Sequence, residues 1–345
     1  MAEVPTRKGE VYFIRERDVV SGEVSPYVKI GRVNDDRLST ERSGEHNTGN
    51  PRELFVVHAE KVDMVSTVEK TLHWHFAPRR VSGEWFVLND TETAEAIQKC
   101  RVVASEFKQH VQAVLLAESF SEIESAGEPT TATDAARSWW LRHHVADHIV
   151  GLCKSAVDRY RAVLKTEIAQ GKDVGEAATF KASHRPVFDE AGFKVKYPKL
   201  WSEHVSEPRI RPNFTVKKMD AEHYASEGDV VAAKPVITKF VGALEMYEGQ
   251  QISISEIAKE YVQFLSLTEF HKTREALAKF YLQSLCGSAP GIEGICSWSR
   301  VLKPGTLSRK SLQDSSPVEY AEFVTYKTVE SIKPERGAGK AAVED

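Results

Sequence analysis

Gly9-Glu-Val-Tyr-Phe-Ile-Arg15 and Tyr27-Val-Lys-Ile-Gly31 decide how this chain is read. Both are dense in β-branched and aromatic residues and predict strands. The stretch between them, Glu16–Ser25, contains Asp18 and Gly22 and predicts a turn, so the pair predicts a hairpin. Alternate residues of a strand share a face. Tyr12 therefore sits with Glu10 and Ile14, and Lys29 with Tyr27 and Gly31. Pairing can bring the Tyr12 phenol and the Lys29 ammonium to one surface, a combination suited to proton abstraction or anion contact. The plain alternative is a strand tyrosine and a surface lysine.

Working outward, Leu54-Phe-Val-Val-His58 predicts a third strand and Trp85-Phe-Val-Leu88 a fourth, with Trp85 and Phe86 closing the core. Val65, Val68, Leu72 and Phe76 recur at helical spacing within Asp63–Phe76. A short polar helix is expected over Asn34–Asn47, a turn at Thr48-Gly-Asn-Pro51, and a helix from Thr91 to about Leu116. Residues 1–116 thus predict an α+β domain, a small mostly antiparallel sheet with flanking helices. Residues 117–134 are polar and rich in small residues, the best linker candidate. Residues 135–332 predict a larger, mostly helical region, with helices over Trp139–Ile168 and 253–285, and residues 333–345 a disordered tail.

Composition narrows the function. The 345 residues carry 46 Lys and Arg against 50 Asp and Glu, a formal charge of −4. That balance excludes a surface that coats nucleic acid throughout, but not a local basic groove. Residues 1–104 hold 15 basic and 17 acidic residues, whereas 181–218 hold nine against four. In that second segment Phe188, Phe193, Tyr197, Trp201 and Phe214 are interleaved with the basic residues. Such a mixture suits an irregular segment lying along a phosphate backbone, with Lys194, Lys196, Lys199, Arg209 and Arg211 as candidate contacts. A solvated loop with a few core anchors is the alternative. The four cysteines form no C-x-x-C pair, and no apolar run approaches the ~18–20 residues of a membrane span, so a cytoplasmic protein is expected.

Three further residues carry chemistry. Arg42 and His46, four apart, share a helical face with Leu38 one turn earlier, which turns that face toward the domain. An inward arginine needs an anion, and a phosphate matches its planar fork; a salt bridge to a nearby carboxylate such as Glu69 is the alternative, and Arg37 competes for the role. Glu69 lies at the margin of the Val65–Leu72 stripe, where a lone charge is costly. A divalent cation would offset that cost, as Mg²⁺ is held by few carboxylates. The rival is a capping box, Ser66-x-x-Glu69, with Asp63 as another candidate cap.

In order and spacing these residues resemble the GIY-YIG nuclease superfamily over about residues 9–95. Gly9-Glu-Val-Tyr12 stands as the first half-motif and Lys29-Ile-Gly31 as the second, followed by Arg42, His46, the Thr48–Pro51 turn, Glu69-Lys-x-Leu-His73 and Gly83-Glu-Trp-Phe86. Lys-Ile-Gly in place of Tyr-Ile-Gly is similar to the phage-encoded and fungal meiotic branch. The interval from Gly31 to Arg42 is about three residues longer than in that branch, which keeps Arg37 in play. The resemblance implies DNA phosphodiester hydrolysis with one Mg²⁺ or Mn²⁺ held by Glu69, in restriction of or defence against foreign DNA. Tyr12 would help deprotonate the attacking water with Lys29 or His46, and Arg42 would neutralise the scissile phosphate. His73 is expected to be structural. The C-terminal region is the candidate for target choice, and a homodimer is compatible with it. Two other functional classes are a non-cleaving nucleic-acid-binding module and a protein-interaction or oligomerisation factor.

Two motifs count for less. His143, His144 and His148 lack the Glu of a zincin and predict polar-face histidines on a helix. Gln251–Glu260 is similar to the first helix of a helix-turn-helix, without a convincing second.

Overall fold

The structure, a computed structural model, describes residues 8–35, 52–171 and 179–333. Three long strands open the chain: β1 (Gly9–Asp18), β2 (Val24–Asn34) and β3 (Arg52–Val62). Helix α1 (Val65–His75) follows, then β4 (Arg80–Ser82), β5 (Trp85–Val87) and α2 (Asp90–Lys108). The sheet has the order β3-β1-β2-β5-β4, antiparallel at every pairing. Its central strand explains the unbroken run Val11-Tyr-Phe-Ile14. A strand covered on both faces does not alternate, and all four residues are buried. On one face Val11, Phe13, Val28 and Ile30 pack against Val65, Val68 and Leu72 of α1 and Ala96, Cys100 and Val103 of α2. On the other, Tyr12, Ile14, Val33, Leu54 and Trp85 form a smaller cluster. The expected hairpin, third and fourth strands and α1 are present; the polar helix and turn over 34–51 lie mostly outside the described residues.

The helix expected over 91–116 is two helices, α2 and α3 (Val111–Ser121). Beyond α3, Ser125 N–H donates to the Arg300 carbonyl (3.0 Å) and Thr130 N–H to Gly291 (3.0 Å). Helix α4 (Asp134–Ala169), α7 (Gly228–Glu248) and α8 (Ile254–Cys286) share one core through Ile149, Tyr160, Leu164, Phe240, Tyr261 and Phe264. Because α8 runs unbroken for 33 residues from its Ser253 cap, Gln251–Glu260 opens no helix-turn-helix. Among the described residues no helix is long and apolar enough to cross a membrane.

The segment 181–218 is not irregular. It is built from β6 (Thr179–Phe188), two short helices, α5 (Glu190–Lys196) and α6 (Pro198–Glu203), and β7 (Arg209–Val216). Strand β7 joins β9 (Cys296–Lys303) and β8 (Gly291–Ile292), while β6 pairs with β10 (Val324–Lys333). Short helices α9 (Arg309–Ser315) and α10 (Pro317–Ala321) lie between β9 and β10.

Candidate functional site

Strand β2 organises the candidate site. Its register with β1 sets Tyr12 opposite Gly31 and Ile14 opposite Lys29. Tyr12 and Lys29 are therefore diagonal neighbours on one face, about 7–8 Å apart by strand geometry. The Tyr12 ring lies directly over Gly31: a Cβ there would sit 2.6 Å from both Cζ and Oη of Tyr12. Glycine at position 31 is thus what lets the phenol cross β2. Lys29 is buried, and its Nζ is 3.6 Å from the Glu84 carboxylate at the start of β5.

Helix α1 approaches the same part of β2 from the other face. Strand β5 pairs with β2 over Tyr27–Lys29, and Ile30 N–H donates to the Glu84 carbonyl. His73 Nε2–H donates to the Ile30 carbonyl at 2.8 Å. One helical turn earlier, Glu69 accepts from Arg32 Nε at 2.7 Å. Tyr12 and Lys29 thus lie on one face of the sheet and Glu69 on the other, at the same stretch of β2 between Lys29 and Arg32.

Glu69 is buried, as its place beside the apolar stripe predicts, but it is no capping residue. The helix starts after Met64, whose φ of 55° is left-handed, and no side chain caps it. Ser66 and Glu69 both lie inside the helix, and Asp63 is outside it. The cation that offsets Glu69's burial is the Arg32 guanidinium, so burial alone does not call for a metal. Arg32 and Arg80 are the two site residues that sequence reasoning missed. Arg32 directly follows Lys29-Ile-Gly31 and alternates onto the α1 face, a signal that was available. Arg80 has no local signal. It is held by its Nε to the Gly83 carbonyl and its Nη1 to Ser266 Oγ of α8, both at 2.5 Å.

Burial sets the electrostatics here. It pushes the Arg80 guanidinium down to about 10, against the pull of the Glu84 and Glu69 carboxylates. It pushes His73 down to about 3, helped by the charge on Arg80 and opposed by the Ile30 hydrogen bond. His73 is therefore a neutral structural donor, as expected. A hard cation here would find one protein carboxylate, buried in α1 and already bonded to Arg32, and would take its other ligands from water and phosphate oxygens. Such a cation would share the Glu69 carboxylate with Arg32. Arg42, His46 and the competing Arg37 lie outside the described residues.

The five basic candidates of the C-terminal region fall on three elements. Lys194, Lys196 and Lys199 lie on α5 and α6, with Lys196 paired to Glu322 and Lys194 stacked on Trp201 at 5.2 Å. Arg209 and Arg211 lie on β7. The interleaved aromatics turn inward. Phe188, Phe193, Tyr197 and Trp201 pack with Leu307, Leu312 and Phe323, and Phe214 packs on Trp298 at 6.1 Å. They serve as core and are not a stacking platform. Of the three α4 histidines, His143 is buried rather than on a polar face, and burial pushes it down to about 4. His144 donates to the Lys217 carbonyl at 2.8 Å. Among the described residues the three form no metal-ligating cluster.

Residues 9–101 match the T5orf172 domain, which is related to GIY-YIG and homing-endonuclease-like nuclease folds. No curated protein and no solved structure matches the chain significantly.

Proposed function

We propose that the chain is a metal-dependent endonuclease that hydrolyses DNA phosphodiester bonds through residues 9–101. The observation that carries the reading is the pairing of Tyr12 and Lys29 on one face of the β1–β2 hairpin, with Gly31 making room for the phenol; Glu69 is bonded to Arg32 of the same hairpin on the α1 face. The T5orf172 match over the same residues supports a nuclease-like or DNA-binding role.

In this mechanism Tyr12, as the phenolate that the Lys29 ammonium on the same face would stabilise, takes the proton from the attacking water and becomes the neutral phenol. Arg42, or Arg37 in its place, would neutralise the scissile phosphate, and His46 would assist proton transfer. Glu69 would hold Mg²⁺ or Mn²⁺, which supplies Lewis-acid stabilisation of the leaving oxygen. Arg32 keeps the Glu69 side chain pointed along β2. Hydrolysis of this kind depends mainly on positioning and charge, which suits a short list of widely spaced polar residues. Restriction of foreign DNA is the role we favour.

The test is incubation with plasmid DNA, single-stranded DNA and RNA, each with Mg²⁺, Mn²⁺ or EDTA. Cleavage of DNA that EDTA stops, and that Glu69→Ala abolishes while the fold survives, is the expected result. No metal-dependent cleavage of any substrate, or full activity in Glu69→Ala, would overturn the reading.

A further inference from the structure

Strands β6 and β10 pair antiparallel from Phe188 opposite Val324 to Thr179 opposite Lys333, and among the described residues no third strand joins them. The ribbon is rooted where Phe188 and Val324 enter a cluster with Phe193, Leu312 and Tyr320. Immediately beyond, His184–Val187 and Thr325–Thr328 are all exposed, with Tyr326 at 72% and Val187 at 48%. Successive strand residues point to opposite faces, so both faces of this part of the ribbon are open. A two-stranded ribbon of this kind is marginal in water by itself.

Charge indicates what completes it. Arg185 and Lys327 are direct cross-strand partners, and like charges directly opposite repel. No Asp or Glu occurs in 184–188 or 324–329 to relieve them. The acids at the root are engaged elsewhere: Glu190 with Arg309 at 3.3 Å, Glu322 with Lys196, and Asp189 with the Gly192 N–H at 3.0 Å. The exposed part of the strand pair, with two positive charges directly opposite each other, fits a polyanion. The major groove of B-DNA, about 12 Å wide, admits a two-stranded β-ribbon.

We propose that the β6–β10 ribbon is a duplex-DNA-binding arm, with Arg185 and Lys327 contacting phosphates. The proposal rests on the reading of DNA as substrate and moves the grip from Lys194–Arg211 to a pair far apart in sequence.

The test uses the full chain carrying Glu69→Gln, with EDTA, and the fluorescence anisotropy of a labelled duplex titrated across a series of salt concentrations. Each phosphate contact contributes about 0.9 to the slope of log affinity against log salt. Arg185→Gln with Lys327→Gln should therefore flatten the slope by about 1.8 and weaken binding by about 1.8 decades at ~0.1 M salt. Arg185→Lys with Lys327→Arg should restore both, and Lys154→Gln with Lys234→Gln should change neither. Unchanged affinity and slope in the neutralised pair would overturn the proposal, as would absence of duplex binding by the parent chain. A shift in oligomeric state with DNA affinity intact would overturn it in favour of contact between copies. Cleavage is measured separately with Glu69 intact. Ribbon-dependent binding without cleavage would support the arm and sink the endonuclease reading alone.

Discussion

Replacing Gly31 by alanine tests the geometry of the site without presuming its activity. The new Cβ would stand 2.6 Å from Cζ and Oη of Tyr12 and 2.7 Å from Cε2. Ordinary carbon contacts are about 3.5–4.0 Å, so the ring must withdraw by about 1 Å. It has little room to do so, because Val33, Leu54 and Trp85 share its cluster. Overpacking of this kind costs about 1–3 kcal/mol. The backbone opposes that sign. Gly31 is not among the residues with positive φ, so alanine in this strand should otherwise gain about 0.5–1 kcal/mol. In a Tyr12→Leu background the clashing outer ring atoms are gone, and the same alanine should be neutral or stabilising. The backbone gain is common to both backgrounds and cancels, so the four chains of the cycle, compared by urea denaturation, should show a coupling of about 1–3 kcal/mol. If cleavage depends on Tyr12, Gly31→Ala should also slow it by about 100-fold, the usual cost of a 1 Å misplacement. Additivity within about 0.5 kcal/mol would refute the contact between Tyr12 and Gly31, and with it the reason for glycine at this position.

Glu69→Gln leaves Arg32 beside a neutral amide, so it should cost on the order of 3 kcal/mol in denaturation and abolish Mg²⁺-dependent cleavage. Retained cleavage would remove Glu69 from the mechanism. Burial holds His73 near 3 and His143 and His271 near 4, all below the ordinary 6.5. Between pH 6.5 and about 4 the unfolded chain binds protons that the folded chain refuses. Stability should therefore be fully present above pH 6.5 and fall as the pH drops toward 4, by up to about 1.4 kcal/mol per pH unit for each histidine. Urea midpoints that stay flat from pH 7 to 4.5 would contradict this. Arg300 is fully buried, and its guanidinium donates to the carbonyls of Phe120 (3.0 Å), Gly287 (2.8 Å) and Ala289 (3.0 Å). Arg300→Met strands three acceptors and should cost at least about 3 kcal/mol, seen as a lower thermal midpoint; an unchanged midpoint would show that water replaces the guanidinium.

What the sequence discloses depends on how far away a residue's partner lies. Strand period, the α1 stripe and the common face of Tyr12 and Lys29 are set within one hairpin or one helix, and all are legible. Glu69 is legible as a costly buried charge, but its compensating partner is 37 positions away on β2. Periodicity therefore identifies the problem and leaves its solution open among a metal, a cap and a basic side chain. The basic segment 181–218 fails for the same reason. Its aromatics look available for stacking until β6 is paired with β10, 144 residues on at the rung of His184 and Thr328. That pairing also changes how the segment can be tested. Removing 181–218, which the charge balance recommends as a way to weaken DNA binding, would delete one strand from each of two sheets. It would report on folding before it reported on binding, so only substitutions that leave the strands paired can separate grip from chemistry. The same limit governs the N-terminal domain. Arg80 is bonded to Ser266 across 186 residues, Lys70 pairs with Glu269 at 3.5 Å and Trp74 stacks on Phe270 at 6.1 Å. The helix that carries Glu69 is therefore braced by α8. An isolated fragment of residues 1–116 would keep the residues named for chemistry and lose the support that orders the helix holding one of them.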